Sequence, residues 1–509
     1  MKKEQRQGEV SLMWRVKSLD AILDASERKP LCRSLGPIQL TLLGVGSTIG
    51  TGIFVLTAEA AQQAGPGMIV SFVLAALVCG LATLCYAELA AMVPVSGAAY
   101  AYTYASFGEL WAWTVGWALV LEYAITGSAV AVGWSGYLVG LLAHCSLHLI
   151  IPPSLANGPF TGGIINLPAM FISLIVTLLL VRGTRESARV NAVFVALKVC
   201  VLGVFIVLSL PLLRSSNFHP FAPVGITGIA GASASIFFTF VGFDAVATAA
   251  EETKEPQRNV PLGLFGALSF VTLIYIGVAI GVTGAYGAQP LFSVHGEHLF
   301  TGTSAFGKEC RSIAELGGRL PLVCSNEALA FVLRQVGYPV FGNLLGLAAF
   351  LALPSVILMM IYGQTRVFFV MARDGLLPTA LARVHPRWQT PHVVTFSTGA
   401  AVTAAAAFLP VGRLAAIANS GTLFAFILVS LGALRLRRTD PHRVRPFRVA
   451  ALGAIAPISV AGCVLLYLFL SKEAKLVLPI WSAIGLVIYG IYGRRKSRFA
   501  ADAKTKQSS

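Results

Sequence analysis

The sequence predicts an all-α polytopic membrane protein with about twelve transmembrane helices. Hydrophobic residues make up 56% of the 509-residue chain and charged residues only 12%, and the mean hydropathy is +0.77. The apolar runs are about twenty residues long, which suits helices that cross a bilayer and not the shorter alternating strands of a membrane β-barrel. This composition excludes a soluble enzyme.

Twelve apolar runs are expected to cross the membrane, and we number them as spans 1 to 12. The third run is longer than one straight crossing needs, so we expect it to tilt or to be interrupted. The runs lie near residues 38–57, 67–92, 110–142, 164–181, 191–213, 226–250, 260–285, 338–364, 392–409, 413–434, 450–470 and 476–493.

The basic residues behind the net charge of +16 are distributed unequally between the two sides of the membrane. Most of the 38 Lys and Arg residues fall on the side of the membrane that holds both termini, which is the positive-inside pattern. We therefore expect a cytoplasmic (inner) membrane protein with both termini in the cytoplasm. The basic surplus indicates contact with anionic lipid and not with nucleic acid. Residues 1–36 are expected to form a cytoplasmic leader and residues 494–509 a cytoplasmic tail, without a cleavable signal peptide.

Span 1 contains a stretch, Gly44–Phe54 (GVGSTIGTGIF), that disfavours a continuous helix. Four glycines lie in it, and each weakens a helix by roughly 1 kcal/mol relative to alanine. A helix interrupted at membrane depth must line a cavity or be buried in protein, and its freed N–H groups suit a carboxylate. The alternative is a face for close helix packing, because Gly46 and Gly50 have small-xxx-small spacing.

Span 6 carries a second interruption within ASASIFFTFVGFDAVATAAEETKEPQRNVP. Gly242 and the neighbouring small and hydroxyl residues weaken its centre, and Asp244 follows the break. Weakened helices at positions five spans apart are typical of transporters built from inverted repeats, with the substrate site between them. This pairing favours a binding site over simple packing.

Two ionisable residues lie inside spans. Glu122 of span 3 is expected near mid-membrane, where a carboxylate must be protonated, paired or facing water. A structural salt bridge or a ligand or proton site would each satisfy it. Lys198 of span 5 has no acidic residue within one turn, so it either reaches another helix, as a proton-coupling residue would, or extends toward the membrane surface.

Three further features complete the pattern. An insertion at about 287–337, between spans 7 and 8, contains Cys310 and Cys324, which are the best candidates for a disulfide in an oxidising compartment. Pro354 beside Ser355 predicts a kink and a free carbonyl in span 8. Polar Asn419 in span 10 is a candidate gate or site residue.

With these residues in place, the chain resembles the amino acid–polyamine–organocation superfamily, and specifically its bacterial permeases that are similar to cationic amino acid transporters. The segments GSTIGTGIF, FVGFDAVATAAEETKEPQRNVP and GQTRVFFVMARDGLLP carry the likeness. The resemblance implies a LeuT-type fold, with spans 1–5 and 6–10 as inverted repeats within a core at 37–436. Two peripheral helices would follow at 437–493.

The resemblance also implies roles for individual residues. The substrate carboxylate would meet backbone N–H groups, the α-amino group would meet carbonyls, and Phe238 would close the site as an aromatic gate. Lys198 would stand where sodium-coupled relatives hold a cation, and Ser355 would supply the span 8 half of that coupling site, although Pro354 departs from the usual small or hydroxyl residue. The implied substrate-binding residues are Ser47, Thr48, Ile49, Gly50, Thr51, Gly52, Glu122, Ile236, Phe237, Phe238 and Thr239.

The expected function is secondary transport of an amino acid by alternating access, coupled to H⁺ and not to Na⁺, without a cofactor or a bound metal. Glu122 favours arginine, lysine or ornithine as the substrate. A symporter for small neutral amino acids, an exchanger, a uniporter and a non-transporting amino acid sensor remain the alternatives. An enzyme is not expected, because the sequence has no phosphate-binding loop, no HExxH and no cytoplasmic Cys/His cluster.

Overall fold

The computed structural model describes residues 16–17, 19–20, 33–95, 97–144, 151–183, 188–293, 295–388 and 390–494. Within these ranges nine helical stretches are long and apolar enough to cross a membrane, and two shorter apolar helices accompany them. One of the nine, Gly52–Met92, joins the second part of span 1 to span 2. Together with the first part of span 1, these helices account for all twelve expected spans.

The helix bounds follow the expected spans closely. Spans 1 to 6 comprise Pro37–Thr48, Gly52–Leu56 and Thr57–Ala64; Met68–Met92; Glu109–His144; Leu167–Arg182; Ala188–Ser209; and Gly225–Ile236, Phe237–Phe240 and Ala245–Thr248. Spans 7 to 12 comprise Pro256–Ala285; Pro339–Arg373; His392–Phe408; Val411–Thr439; Leu452–Phe469; and Lys472–Ile488 with Tyr489–Gly493. Most of the expected leader and tail lies outside the described residues.

Span 3 is one unbroken helix of 36 residues, so of the two expected alternatives, tilt or interruption, the interruption is excluded. At 1.5 Å per residue it is about 54 Å long, well beyond the hydrocarbon core of roughly 30 Å. The helix packs against spans 8 and 10, and most of its length is buried inside the bundle. The buried positions lie between residues 109 and 137, whereas residues 138–144 at the end of the helix are half-buried or exposed.

Span 8 also continues as one helix, Pro339–Arg373, past Pro354. Proline has no N–H, so the carbonyl of Phe350, four residues earlier, loses its helical partner. The indole Nε1 of Trp134 donates to that carbonyl at 2.8 Å, and the Trp134 and Phe350 rings stack at 5.1 Å. The carbonyl expected to be free is thus satisfied by span 3.

Span 12 is fastened to span 3 by tryptophans. The rings of Trp117 and Trp481 stack at 4.7 Å, and each indole donates to the backbone carbonyl of the other residue, at 2.9 and 2.7 Å. Trp113 donates to Gly485 O at 3.0 Å. These paired contacts attach the last span directly to the helix that carries Glu122.

The insertion between spans 7 and 8 is held to span 1. Cys310 and Cys324 form a disulfide, the pair expected from the sequence. Gln62, which is fully buried, donates to Leu291 O at 2.8 Å and to Leu299 O at 2.7 Å, and accepts from Leu291 N at 2.8 Å. The insertion therefore binds the second half of span 1 and is not a free loop.

We predict that Trp134→Phe lowers the free energy of unfolding by about 1–3 kcal/mol, because it leaves the buried Phe350 carbonyl unpaired. In a Pro354→Ala background the loss should be smaller, since the backbone N–H introduced at position 354 can bond Phe350 O. The unfolding free energies of the wild type, the two single variants and the double variant, measured in one detergent, give the double-mutant cycle. Equal losses in both backgrounds would contradict this assignment.

Candidate functional site

The helix of span 1 stops at the predicted place. The first half ends at Thr48, Ile49 has an extended backbone (φ −73°, ψ 93°), and a new helical segment begins at Gly52. Thr51 precedes that segment, and its hydroxyl lies 3.3 Å from Val130 O of span 3. The first N–H groups of a helix have no partner within it, so the break presents donors at mid-bundle.

Span 6 is broken at the same depth. Its first helix ends at Ile236, a short 3₁₀ segment covers Phe237–Phe240, and Gly242 has φ of +114°. This left-handed conformation is strained for residues with a Cβ, which explains the glycine. Asp244 follows and is buried.

The two breaks contact each other through backbone. A Cβ on Gly52 would lie 2.6 Å from Thr239 Cα, and one on Gly242 would lie 2.7 Å from Ser47 O. The Ser47 hydroxyl lies 2.8 Å from Gly242 O. Each break thus places a glycine against the backbone of the other, and this removes the room for any side chain between them.

The residues expected to bind substrate along spans 1 and 6 are all buried at this contact. The Thr48 hydroxyl bonds back to Gly44 O at 2.7 Å, and Gly50 packs on Val356 of span 8. The hydroxyl of Thr239 has no hydrogen-bond partner among the described residues. The structure thereby brings together Ser47, Thr48, Ile49, Gly50, Thr51, Gly52, Ile236, Phe237, Phe238 and Thr239.

Phe238 belongs to a small apolar cluster that joins spans 1, 3, 6 and 10. Its ring packs with Leu56, Ala129, Leu414 and Ala415. Leu56 lies beyond the break of span 1, and Leu414 lies near the start of span 10. Phe238 therefore lies between the second part of span 1 and span 10, and its role as a gate stays a prediction.

Asn419 has a different environment from that of a simple gate. It is fully buried, and its amide donates to Ala234 O at 2.8 Å and to Ser235 O at 3.1 Å. These are carbonyls in the last turn of the first helix of span 6. Asn419 thus stabilises the end of that helix.

Glu122 is only 2% exposed and faces span 10. A Cβ on Gly421 would lie 3.5 Å from Glu122 Cβ, and Thr422 contacts the carboxyl group. Among the described residues no cation pairs with Glu122, and its Oε2 has no hydrogen-bond partner. Asp244 is close enough to interact with it electrostatically. The structural salt bridge, one of the two alternatives for this residue, is not formed.

Lys198 reaches span 1 and does not extend to the surface. It is 2% exposed, and its Nζ donates to Gly46 O at 3.2 Å, within the first half of span 1. Ser355 is buried, with its hydroxyl bonded to Ala352 O of its own helix at 2.7 Å. Spans 5 and 8 both pack against span 1, so the two expected coupling residues lie on helices that meet at the break.

Tyr275 of span 7 is a site residue that the sequence did not reveal. Its hydroxyl lies 3.1 Å from Thr48 O and 3.0 Å from Thr239 O, so it bridges the two broken helices. Its ring also packs against Phe72 and Phe240. An aromatic residue in an apolar span gives no signal in the sequence that its hydroxyl bridges two other helices.

The family comparison agrees with this architecture. The sequence profile described as amino acid permease matches residues 35–491, which is most of the chain. The chain belongs to the amino acid permease family. The expected resemblance to the amino acid–polyamine–organocation superfamily is therefore confirmed.

Two relatives match the permease over nearly its whole length. The branched-chain amino acid permease BcaP of Bacillus subtilis (strain 168) is 39% identical over 491 residues, which are 96% of this chain and 98% of the relative. The methylthioribose transporter of the same organism is 37% identical over 491 residues, covering 96% and 99%. Cationic amino acid transporter 4 of Homo sapiens is 33% identical over 446 residues, which are 84% of this chain and 64% of the relative. These relatives are named as permeases or transporters, and not as enzymes.

We predict that Gly52→Ala abolishes transport by the permease and lowers the free energy of unfolding by about 1–3 kcal/mol, because its methyl group would meet the Thr239 backbone. Gly203→Ala in span 5 is the matched control, since a Cβ there meets nothing within 4 Å. Its stability should be unchanged or higher by up to about 1 kcal/mol. Uptake into vesicles and thermal unfolding measure both effects; normal uptake by the Gly52 variant would contradict the close contact.

Proposed function

We propose that this permease is a secondary transporter that moves an amino acid together with a proton across the cytoplasmic membrane by alternating access. The contact between Lys198 Nζ and Gly46 O carries the proposal. It connects a titratable group on span 5 to the broken helix that would bind the substrate. Protonation can therefore alter the packing of the site without contact between proton and substrate.

The breaks provide groups of opposite polarity for an α-amino acid. The helix that begins at Gly52 directs its N-terminal N–H groups, with their partial positive charge, toward the break. The helix that ends at Ile236 directs its carbonyls there from span 6. A carboxylate would bind the first and an ammonium the second. Both sets of groups on the protein belong to its backbone, and both groups on the substrate are common to α-amino acids. These contacts therefore apply to any amino acid.

The coupling step follows from the chemistry of the ammonium group. A protonated Lys198 makes a charge-assisted hydrogen bond to Gly46 O, which is stronger than the bond from a neutral amine. Loss of the proton weakens the attachment of span 1 to span 5 and favours movement of the first half of span 1. In this proposal the ammonium group takes the place of a bound cation, so Na⁺ is not required.

We further propose that a cationic side chain, as in arginine, lysine or ornithine, is favoured. Glu122 and Asp244 are two buried carboxyl groups close to each other, and Glu122 forms no ion pair within the described part of the chain. When these carboxyl groups are ionised, a substrate cation would neutralise their charge.

A neutral apolar amino acid is the second candidate. The relatives that match nearly end to end include one named for branched-chain amino acids, whereas the human cationic transporter is matched over 64% of its length. Leu56, Phe238 and Leu414 supply an apolar wall at the breaks. With a protonated Glu122, such a site would accept an uncharged side chain.

We predict that arginine, lysine or ornithine raises the thermal stability of the purified permease, because a ligand that binds the native state stabilises it. Glu122→Gln should remove this effect and reduce affinity by at least about tenfold, the equivalent of 1.4 kcal/mol. Glu109→Gln is the control, since Glu109 is also buried in span 3 but bonds Tyr104 and Tyr489. Stabilisation by leucine, isoleucine or valine alone would favour the second candidate.

We predict that Lys198→Ala abolishes accumulation driven by an imposed proton gradient, because the contact to Gly46 can no longer respond to pH. Exchange of labelled substrate between preloaded vesicles should persist, since it needs no net proton movement. Lys475→Ala, which removes a half-buried lysine of span 12 that donates to Leu468 O of span 11, should retain proton-driven uptake. Gradient-driven accumulation by the Lys198 variant would refute the coupling role.

A further inference from the structure

A cavity of about 280 Å³ lies outside the substrate site, between spans 3, 8, 9 and 12. Its walls are largely apolar. They are formed by Leu121 and Ile125 of span 3, Phe368 of span 8, Val394 of span 9 and Trp481 of span 12. The cavity lies in the half of the bundle where span 8 ends and span 9 begins.

One polar side chain in this cavity lacks a partner. Gln364 of span 8 lines the cavity and is only 3% exposed. Its carbonyl oxygen Oε1 is buried and has no hydrogen-bond partner among the described residues. A buried acceptor without a donor costs roughly 1–3 kcal/mol, so the site is incomplete without a hydrogen-bond donor from outside the protein.

The surroundings favour an amphipathic donor over water alone. A buried water molecule needs two to four polar partners. Beside Gln364, the described part of the lining offers two hydroxyl residues, Ser397 and Thr398, and the Ser397 hydroxyl is already used as a donor to Val393 O at 2.9 Å. The remaining wall is hydrocarbon and aromatic, which suits a hydrocarbon chain.

The cavity is accessible from the side of the bundle. Ser397 and Ala401 of span 9 line it and are exposed, and Phe396 beside them is 62% exposed. On a membrane-spanning helix such exposed positions face lipid. A molecule dissolved in the bilayer can therefore reach Gln364 without crossing the substrate path.

We propose that this cavity binds a neutral membrane lipid that carries a free hydroxyl group. The hydroxyl donates to Gln364 Oε1, and the hydrocarbon chain packs against Leu121, Phe368 and Trp481. The bound lipid joins spans 3 and 12 to spans 8 and 9. It stabilises the bundle and takes no part in substrate selectivity.

The test uses the purified full-length permease after removal of endogenous lipid. Added 1-monooleoylglycerol should raise the unfolding temperature by several degrees in a saturable manner. Methyl oleate, which has a similar chain but no donor, should give a much smaller shift. Equal shifts with the two compounds, or no shift with either and no lipid retained in native mass spectrometry, would overturn the proposal.

Variants locate the effect at the cavity. Gln364→Leu should raise the half-saturating concentration of 1-monooleoylglycerol at least tenfold. Gln63→Leu, in span 1, should leave this concentration unchanged. Ala401→Trp, which fills the cavity from its exposed side, should also remove the shift and so serves if the Gln364 variant does not fold. Substrate-induced stabilisation should persist in every folded variant. A lipid response retained by both cavity variants would place the lipid elsewhere and refute the site.

Discussion

The contact on which the rest of the site depends is the crossing of two broken helices through glycine. Gly52 lies against the Thr239 backbone and Gly242 against that of Ser47, so neither position has room for a side chain. This closeness brings the N-terminal end of one helical segment and the C-terminal end of another to one place. In the proposed function, the opposite partial charges of these helix ends bind the carboxylate and the ammonium group of an amino acid. The neighbouring polar contacts hold the two helices in position. Tyr275 bridges the two broken helices, and Asn419 bonds a carbonyl in the last turn of the first helix of span 6.

The interrupted helices are stable because other spans provide the missing hydrogen bonds. A donor from a neighbouring helix is also present at two of the prolines inside helices, Pro354 and Pro479. Trp134 donates to the carbonyl that Pro354 leaves free, and Tyr467 donates to Lys475 O, four residues before Pro479. Unpaired carbonyls are costly in lipid, so each irregular turn requires a donor on a neighbouring helix. In these cases the irregular turn on one helix is therefore stabilised by a side chain on a second helix.

Much of the fold was predictable because it depends on local sequence. The lengths of the apolar runs predicted the twelve spans, and the glycine content of spans 1 and 6 predicted the breaks at Gly52 and Gly242. Span 3 was expected to tilt or to be interrupted and is one unbroken helix, because length alone does not distinguish these two alternatives. Tyr275 and the capping role of Asn419 could not be predicted, since each depends on which helix lies beside which. The Lys198 contact to Gly46 is also tertiary: the sequence indicated a lysine in need of a partner and did not identify the carbonyl.

The central claim is that the paired breaks recognise the α-carboxylate and α-ammonium groups of an amino acid. Binding of three compounds with one side chain tests it most directly: the amino acid, its carboxamide and its deaminated acid, measured by displacement of labelled substrate. The account predicts that the amino acid displaces the label and that either analogue is at least about a hundredfold weaker, the equivalent of roughly 2.8 kcal/mol for a lost charged contact. Equal displacement by the analogues would show that substrate is held by its side chain, away from the breaks, and would contradict the account.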